Sequence, residues 1–366
     1  MSKEKLTRLR RAIDRIDQKI LSLLNDRARI VQKIGSFKKE TSDEFYSPNR
    51  EKKILERLKS LNKGPFPNHA VPVVFKEIFS ASLAMQAPMK VAYLGPAATF
   101  THVAALRHFG RSAELVPQGS IAKVFEEVEH SRAEFGVVGI ENSTEGVVGQ
   151  TLDQFLSATL KISAEITLPI SHHLMARASL RSGEIRRIYS HPQAVGQCRE
   201  WLEENCPDAM IREVESTAAA AQRAAEEKGS AAIASEYAAE LYNLKILKRS
   251  IEDHPNNFTR FLVIGRKVMS PSGHDKTSLL FSVKDEPGIL YKMLEPFSRA
   301  GINLTKIESR PLARLKSGRL PLGKWEYIFF LDIEGHQKET KIQKAIRALE
   351  LKCHFLKVLG SYPKSS

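Results

Sequence analysis

The chain has 366 residues, of which 42% are hydrophobic and 27% charged, which is typical of soluble globular proteins but too long for one ordinary core. We therefore expect two or three domains. No apolar run approaches the roughly 20 residues that span a bilayer, and the first segment is charged from its start, so the sequence predicts no membrane span, no signal peptide and a cytoplasmic location. Cys198, Cys206 and Cys353 lack metal-ligand spacing and are expected to be reduced thiols.

The formal net charge is +14, and residues 1–89 hold +9 of it, with 19 Lys and Arg against 10 Asp and Glu. Clustered arginines bind phosphates, but they also bind carboxylates through paired hydrogen bonds. The charge therefore indicates an anionic partner without deciding between a nucleic acid and a small molecule. The position of the cations on their helices decides between the two.

Three helices are predicted in residues 1–88. The first covers 4–39, the second starts at "SPNREKKILERLKSL" with Ser47 as the N-cap and Pro48 at its first position, and the third covers about 68–86. The first helix would be about 50 Å long, and its apolar stripe is too long for three helices to bury alone. We expect an all-α domain that forms an intertwined dimer.

Two cations fall on the apolar stripe of the first helix. At 100° per residue, Arg27 and Lys38 lie within about 40° of Ile20. A buried cation without a partner costs several kcal/mol, so each binds an anion or extends its side chain to the edge of the stripe. Because two such cations lie three turns apart on one stripe, we favour the binding of an anion over extension of both side chains to the edge. Arg10 points about 100° away from Arg27 and could serve the pocket of a neighbouring subunit.

Polar groups also occur on the other two helices. Ser82 and Gln86 follow Ile78 at i+4 intervals on the third helix, and Arg50 and Glu51 open the second. The predicted bundle therefore has a polar, net-cationic interior patch, which suits a small dicarboxylate.

The segments "LRRAIDRIDQKILSLLNDRARIVQKIGSFK", "SPNREKKILERL" and "IFSASLAMQ" resemble the AroQ-type chorismate mutases across residues 5–87. The resemblance implies the pericyclic rearrangement of chorismate to prephenate, which depends on positioning and electrostatics. The site residues that it implies are Arg27 and the partner subunit's Arg10 on the carboxylates, Lys38 and Gln86 on the ether oxygen, Glu51 on the hydroxyl, and Arg50 and Ser82 in the lining.

From Lys90 to residue 266, short apolar strands alternate with helices, which predicts a parallel α/β sheet. Four strands end in a polar turn that opens a helix, and at the third turn Ser190 and Gln193 form a predicted capping box. Any one of these residues is most simply an N-cap. Four such junctions at the carboxyl edge of one sheet predict an anion-binding crevice. Its candidate residues are Thr99, Thr101, Asn142, Ser143, Thr144, Ser190, Gln193, Ser216 and Thr217.

Six motifs in this region occur in the order found in prephenate dehydratases, which they resemble: "YLGPAATFTH", "GIENSTEG", "YSHPQAVGQC", "ESTAAAA", "AAIASEYAAELYNL" and "NNFTRF". The resemblance implies a two-lobed, periplasmic-binding-protein-like α/β fold, with lobes at about 90–168 and 169–266 and the site between them. It also implies that Thr259 carries the essential hydroxyl and that Arg260 and Phe261, which complete the motif, bind the substrate. Threonine is a poor acid, so we expect it to donate a hydrogen bond to the departing hydroxyl, with Glu141 or water as the proton source.

Two positions depart from the motifs of that family: Gly139 stands where proline is common, and Ala98 where glycine is common. Both departures concern turn geometry more than chemistry. Histidines near the motifs are expected to cap or pack rather than to catalyse. They are His102, His172, His173, His191 and His254.

After a linker at 267–276, the pattern βαββαβ predicts a ferredoxin-like module at 277–361. "DEPGILYKM", with Ile289 where alanine is usual, and "KIESRP" resemble the two motifs of ACT domains. The resemblance implies phenylalanine as an inhibitory effector, and the alternative is a dimerisation module without a working pocket. The implied effector residues are Gly288, Leu290, Asn303, Leu304, Glu308, Ser309, Arg310 and Pro311. The basic segment 312–323, "LARLKSGRLPLG", has no assigned role.

Together the resemblances imply a bifunctional chorismate mutase–prephenate dehydratase with domains at 1–88, 89–266 and 277–361, a dimer or tetramer with no metal or organic cofactor, and no nucleic-acid or membrane partner. A nucleic-acid binder would need exposed cations with interleaved aromatics, whereas Arg27 and Lys38 lie on an apolar stripe. A two-lobed solute sensor shares the crevice but does not need the Thr259 hydroxyl. Acceptance of arogenate beside prephenate stays open.

Overall fold

A computed structural model describes residues 3–41, 46, 48–86, 89–180, 182–283, 286–311 and 327–365. The predicted N-cap Ser47 and the basic segment 312–323 lie outside them. The chain forms two compact units, one of Met1–Met89 with Phe109–Glu114 and the other of Lys90–His108 with Leu115–Ser366. Within the described ranges, no helix has both the length and the apolarity that crossing a membrane requires.

The first unit contains the three predicted helices, α1 (Lys3–Thr41), α2 (Pro48–Leu61) and α3 (Ala70–Gln86). The all-α prediction is confirmed. At Gly35, α1 and α3 approach so closely that a Cβ there would lie 3.0 Å from Gln86 Cγ. Most of the apolar stripe of α1 is uncovered within one chain, with Ile13 57%, Leu23 67% and Phe37 63% exposed.

The second unit begins with two mixed sheets. The helices of this part are α4 (Phe100–Phe109), α5 (Ile121–Glu129), α6 (Gly149–Ser157), α7 (Pro192–Gly196), α8 (Arg199–Asn205), α9 (Thr217–Glu226) and α10 (Glu236–Leu241), with a 3-10 turn at Ser182–Glu184. The strands are β1 (Lys90–Leu94), β2 (Glu114–Gln118), β3 (Phe135–Asn142), β4 (Gly146–Val147), β5 (Lys161–Pro169), β6 (His173–Ala176), β7 (Arg187–Ser190), β8 (Met210–Glu213), β9 (Ser230–Ala234), β10 (Lys245–Lys248) and β11 (Phe258–Gly265).

The first lobe holds the sheet β2-β1-β3-β11-β5, with β4 paired to β3, and the second lobe holds β10-β6-β9-β7-β8. β1 runs parallel to β3, whereas β11 runs antiparallel to both β3 and β5. The prediction of a parallel sheet is therefore wrong for β11, and in the second lobe it is also wrong for β6, which runs antiparallel to β9 and β10. The chain enters β11 on its way back from the second lobe and not over a crossover helix, so nothing requires it to run parallel.

The return of β11 also changes the composition of the lobes. The sequence-based division assigned 169–266 to the second lobe, but residues 258–265 pair within the first sheet. The chain thus passes between the lobes twice, after β5 and before β11. The motif that ends in Thr259 lies where the second passage joins the first sheet.

The C-terminal part contains β12 (Asp275–Val283), α11 (Ile289–Arg299), β13 (Leu304–Pro311), β14 (Tyr327–Glu334), α12 (Thr340–Glu350) and β15 (Phe355–Pro363). Their sheet has the antiparallel order β13-β14-β12-β15, which confirms the ferredoxin-like prediction. Phe281 and Leu331 pack against the two helices on one face of this sheet. On the other face, Leu280 and Phe330 join the same hydrophobic core as Phe155 of the first lobe.

Candidate active sites

The helical unit contains a cavity of about 360 Å³ between its three helices. Polar lining comes from all three helices, because α1, α2 and α3 each place charged or amide groups on their inward faces. Six predicted residues line the cavity together: Arg27, Lys38, Arg50, Glu51, Ser82 and Gln86. The sequence did not single out its apolar wall, formed by Val31, Ile34, Ile54, Phe79 and Leu83. A helical wheel shows which face is apolar but not which part of that face remains open.

Arg27 is held in the cavity by two neighbours. Its Nη1 donates a hydrogen bond to Ser82 Oγ, and its guanidinium lies 5.5 Å from the centre of the Phe79 ring. Ser82 Oγ donates in turn to the Ile78 carbonyl at 2.6 Å. Burial lowers the pKa of Arg27, and the nearby Glu51 raises it. Arg27 is therefore a cation with a fixed orientation at the cavity wall.

Two other lining groups are unusual in their environment. Burial raises the pKa of Glu51 to about 7, although Lys76 and Arg27 act to lower it. Gln86 Oε1 is buried and has no hydrogen-bond partner among the described residues. The Gln86 amide is therefore able to turn toward a ligand, and Glu51 is partly protonated near neutral pH.

Arg10 is exposed on α1 and does not line this cavity. The structure thus brings six of the seven predicted mutase-site residues together within one chain, and Arg10 is the one it does not.

In the second unit, Thr259 and Asn142 are opposite each other in the ladder between β11 and β3. Asn142 Nδ2 donates hydrogen bonds to Thr259 Oγ1 at 2.8 Å and to Asn257 Oδ1 at 2.8 Å. Asn142 Oδ1 accepts from the backbone amides of Thr144 and Glu145, both at 3.0 Å. Because the amide oxygen is used by two N–H donors, the orientation of the Asn142 side chain is determined. Thr259 is therefore an acceptor toward Asn142, and no group among the described residues accepts its own O–H proton.

The amide chain continues into the second lobe. Asn257 Nδ2 donates to Gln197 Oε1 at 2.9 Å, and His172 Nε2 lies 2.8 Å from the same oxygen. Burial lowers the pKa of His172, so its imidazole is neutral at pH 7. Sequence reasoning included none of Asn257, Gln197 and His172 in the site, although "NNFTRF" contains the asparagine.

Other predicted crevice residues serve the backbone. Ser143 Oγ accepts from Phe258 N at 2.9 Å and donates to Asn256 O at 3.2 Å, which holds the returning segment beside Asn142. Ser190 Oγ is fully buried and donates to Ile233 O at 2.9 Å. Ser216 is the N-cap of α9. Ser143 and Ser216 therefore hold the turns after β3 and before α9, whereas Ser190 links β7 to β9.

The predicted capping box at Ser190 and Gln193 is wrong. His191 is the N-cap of α7, and its Nδ1 accepts from Gln193 N at 3.3 Å. Ser190 is still the last residue of β7, and its hydroxyl bonds across the sheet instead of forward to the helix. Exposed Gln193 and buried Thr217 lie in the first turns of α7 and α9.

Ala98, at the position where the resemblance places glycine, adopts a φ of 68°. This left-handed conformation costs an alanine roughly 1–2 kcal/mol, which explains why glycine suits the position. Its amide donates to His102 Nδ1 at 2.8 Å, and its carbonyl accepts from Ser235 Oγ at 3.3 Å. The turn before α4 is thus tied to the start of α10 in the second lobe.

Arg260 and Glu141 do not join the cluster around Thr259. Adjacent residues of a strand point to opposite faces, so their side chains lie on the face that meets the C-terminal sheet. Arg260 is within 2.6 Å of Asp332 Oδ2, and Glu141 is within 2.7 Å of Lys306 Nζ. Phe261 is 3% exposed and packs opposite Gly139 in the ladder.

Family patterns match all three parts of the chain: "Chorismate mutase type II" at residues 9–87, "Prephenate dehydratase" at 91–269 and "ACT domain" at 277–351. The chain is 50% identical over 366 residues to the bifunctional chorismate mutase/prephenate dehydratase of Aquifex aeolicus, and the match covers 99% of both chains. It belongs to the family of bifunctional chorismate mutase/prephenate dehydratases.

Two solved structures are similar to this chain, and each matches 75% of it. One is the prephenate dehydratase of Arthrobacter aurescens in complex with L-Phe, with 34% identity, a TM-score of 0.68 and 90% of that chain covered. The other is named GqqA, a quorum-quenching acylase, with 30% identity, a TM-score of 0.67 and 98% covered.

In the ACT domain of this family member, the predicted effector residues divide into two groups. Gly288 has a φ of 75° and opens α11, and Leu290 in the first turn is 40% exposed. Asn303 is exposed beside Leu304, which begins β13. Along β13, Glu308 and Arg310 are partly buried against α6, whereas Ser309 and Pro311 are exposed.

Proposed function

We propose that the chain converts chorismate to prephenate in the helical cavity and prephenate to phenylpyruvate beside Thr259, and that phenylalanine bound to the ACT domain inhibits the second reaction. The Thr259–Asn142 pair carries the dehydratase part of the proposal. Asn142 holds Thr259 Oγ1 as an acceptor, and among the described residues the Thr259 hydroxyl proton has no acceptor and can bond a substrate.

The mutase proposal is supported by the composition of the cavity wall. In this proposal Arg27, together with Arg10 of the partner subunit, binds the substrate carboxylates, and Lys38 and Gln86 stabilise the ether oxygen as its bond to carbon breaks. Arg50 and Ser82 line the cavity. Glu51, with a pKa of about 7, suits the substrate hydroxyl as a hydrogen-bond partner in either protonation state. The reaction needs no proton transfer, so catalysis is positioning and charge stabilisation.

The assembly we propose is a dimer with α1 intertwined between subunits. Along this 39-residue helix, apolar side chains such as Ile16 and Ile20 are at least half exposed, far more than a stable surface helix presents. A second copy of α1 would cover them and would bring Arg10 of the partner subunit to the cavity.

In the dehydration, the bond from the ring to its carboxylate breaks and releases CO2, and its electron pair enters the ring. The bond from the ring to the hydroxyl breaks, and the hydroxyl takes up one proton and leaves as water. Thr259 donates a hydrogen bond to this departing oxygen, and Asn142 holds Thr259 Oγ1 in the orientation that permits it. The proton comes from water, because Glu141 is paired with Lys306 on the opposite face.

The substrate carboxylates would lie near the N-terminal turns of α4 and α9, where Thr99, Thr101, Ser216 and Thr217 border the crevice. Thr144 and Gln193 would complete its rim, with the fully buried Ser190 at the end of β7 behind it. Thr144, Ser190, Gln193, Ser216 and Thr217 were predicted to bind substrate, and that role is kept here for the helix-opening turns beside them.

Acyl hydrolysis, the activity in the name of GqqA, is less well supported. A nucleophilic hydroxyl needs a base to accept its proton. The described partner of Thr259 Oγ1 is the Asn142 amide nitrogen, which donates a proton and cannot take one up.

The test is to supply purified protein separately with chorismate, prephenate and arogenate, and to follow aromatic product with and without phenylalanine. We expect phenylpyruvate from chorismate and from prephenate, and suppression by phenylalanine. Turnover of prephenate alone would reject the mutase site, and turnover of no substrate would favour a solute sensor. Equal rates with arogenate would broaden the substrate class.

A further inference from the structure

Two successive pairs in the β3–β11 ladder point to opposite faces of the sheet. Thr259 is paired with Asn142, and Arg260 is paired with Glu141. The first pair contacts Asn257 and, through it, the second lobe. The second pair faces the ACT sheet, and the register shifts immediately after Arg260. The reacting hydroxyl and the ACT contact are therefore adjacent in one backbone ladder.

The Arg260 guanidinium is engaged on all sides by protein groups. Its Nε donates to Glu165 Oε2 at 2.8 Å, and its Nη2 donates to the Tyr362 hydroxyl at 2.9 Å. Its Nη1 lies 2.6 Å from Asp332 Oδ2 and 3.9 Å from Glu141 Oε2. Arg260 is 13% exposed and Asp332 is fully buried. Two of its partners, Asp332 and Tyr362, lie on β14 and β15 of the C-terminal sheet.

Further residues of the C-terminal sheet complete a charge-balanced cluster. Lys276 lies 3.0 Å from Glu165, and Lys306 lies 2.7 Å from Glu141. Ser278 Oγ donates to Asp332 and lies 2.7 Å from the Tyr362 hydroxyl. Three cations thus face three carboxylates: Arg260, Lys276 and Lys306 against Glu141, Glu165 and Asp332. Arg260, Glu165 and Asp332 are largely buried, so removing one of them leaves a buried charge uncompensated, and the geometry of the cluster depends on both domains at once.

We propose that Arg260 is a positioning residue through which the ACT domain sets the position of Thr259 and Asn142, and that phenylalanine inhibits dehydration by displacing this cluster. The inference rests on the proposed function. It assigns Arg260 to the link between domains and not to the substrate carboxylate, because its Nε and Nη2 already donate to Glu165 and Tyr362 and its Nη1 is in an ion pair with Asp332.

β13 provides the physical path from the effector. Leu304, at the proposed phenylalanine site, begins β13, and Lys306 is two residues further along the same strand. At the other end of β13, Arg310 Nη1 donates to Gly149 O at 2.6 Å and pairs with Asp153 at 2.7 Å. A shift of β13 on effector binding would move Lys306 against Glu141, the residue next to Asn142. Coupling of this kind needs an element that both sites can displace, and β13 contacts both.

The test compares Tyr362→Phe and Lys306→Met with Lys357→Met as the matched control. Lys357 lies at the same boundary between domains and donates to the Phe155 carbonyl at 2.7 Å, but it does not contact the cluster. We expect the two cluster variants to lower kcat for prephenate about fivefold or more with little change in KM, and to shift half-inhibition by phenylalanine about fivefold or more. The control variant should change neither quantity. Mutase activity, measured on the same samples, reports folding of the helical unit.

The outcomes separate the two proposals. Absence of prephenate turnover in the wild-type protein would reject the proposed dehydratase. An active wild type with cluster variants that behave like Lys357→Met would overturn the role of Arg260. A rise in KM alone would also overturn it, because it would place the cluster at the substrate. Tyr362→Phe keeps the buried ring and removes only the hydroxyl, so it tests the inference even if Lys306→Met fails to fold.

Discussion

Thr259 Oγ1 lies 2.8 Å from Asn142 Nδ2 and accepts its hydrogen bond, so the threonine hydroxyl is directed by a neighbour that cannot remove its proton. A carboxylate or an imidazole in place of the Asn142 amide would instead accept the hydroxyl proton of Thr259 and so make its oxygen a nucleophile. The pair therefore favours hydrogen-bond donation to a leaving group.

Thr259→Val should lower kcat for prephenate by a factor of about 100 to 1,000, since it removes one donor to the developing charge while keeping the shape of the side chain. Thr259→Ser should retain measurable turnover because it keeps the hydroxyl. Chorismate consumption, measured on the same samples, should be unchanged in both. Equal activity of the valine and serine variants would show that the hydroxyl takes no part.

Asn142→Asp should reverse the direction of the hydrogen bond to Thr259. A carboxylate only accepts, so the threonine hydroxyl would donate to it and be lost to the substrate. We expect kcat for prephenate to fall about tenfold or more near neutral pH and to recover partly as the pH is lowered, because a protonated carboxyl can donate again. A pH–rate profile parallel to that of the wild type would contradict this reversal.

The sequence was sufficient for features with a regular period. The cations on the α1 stripe were predicted to face a cavity because residues three and four apart share a helix face, and Arg27 and Lys38 do line one. The ferredoxin-like module was recognisable because its strands and helices alternate in a known order. The bounds of α1 and α3 differ from the predicted ones by at most two residues.

Features made by distant segments were not predictable. The Asn142 and Asn257 side chains meet across 115 residues, and Arg260 and Tyr362 across 102, with no pattern in either segment that points to the other. The apolar run after Arg260 predicts a strand, but nothing in that run indicates that the strand pairs within the first sheet. Arg260 was consequently predicted to bind substrate, from its place in the motif alone.

Glu51 predicts a pH-dependent stability of the helical unit. Burial raises its pKa from 4.5 to about 7, so the folded state binds more protons than the unfolded state between these values. Its stabilising contribution is therefore complete below pH 4.5 and is lost as the pH rises through 7. Glu51→Gln should leave stability similar near pH 4.5 and raise it above pH 7, by up to about 3 kcal/mol.

Hydrogen exchange of peptides from α1, α2 and α3 measures this difference when variant and wild type are compared at the same pH. Glu56→Gln is the matched control, because Glu56 is exposed on the same helix. A difference between Glu51→Gln and wild type that is constant with pH would contradict the raised pKa.

If each mutase cavity is built from residues of both subunits, two inactive variants should restore activity when they form a mixed dimer. If Arg10 serves the partner subunit's cavity, Arg10→Ala and Lys38→Ala should each lose mutase activity, since each removes a cation from every site of a homodimer. In a mixed dimer, one cavity lacks both cations and the other has both. Unfolding and refolding an equal mixture should therefore restore about a quarter of wild-type mutase activity, because half of the dimers are mixed and half of their cavities are complete. Prephenate turnover should stay at the wild-type rate in all samples, and mutase activity no higher than that of the separate variants would place Arg10 outside the partner's cavity.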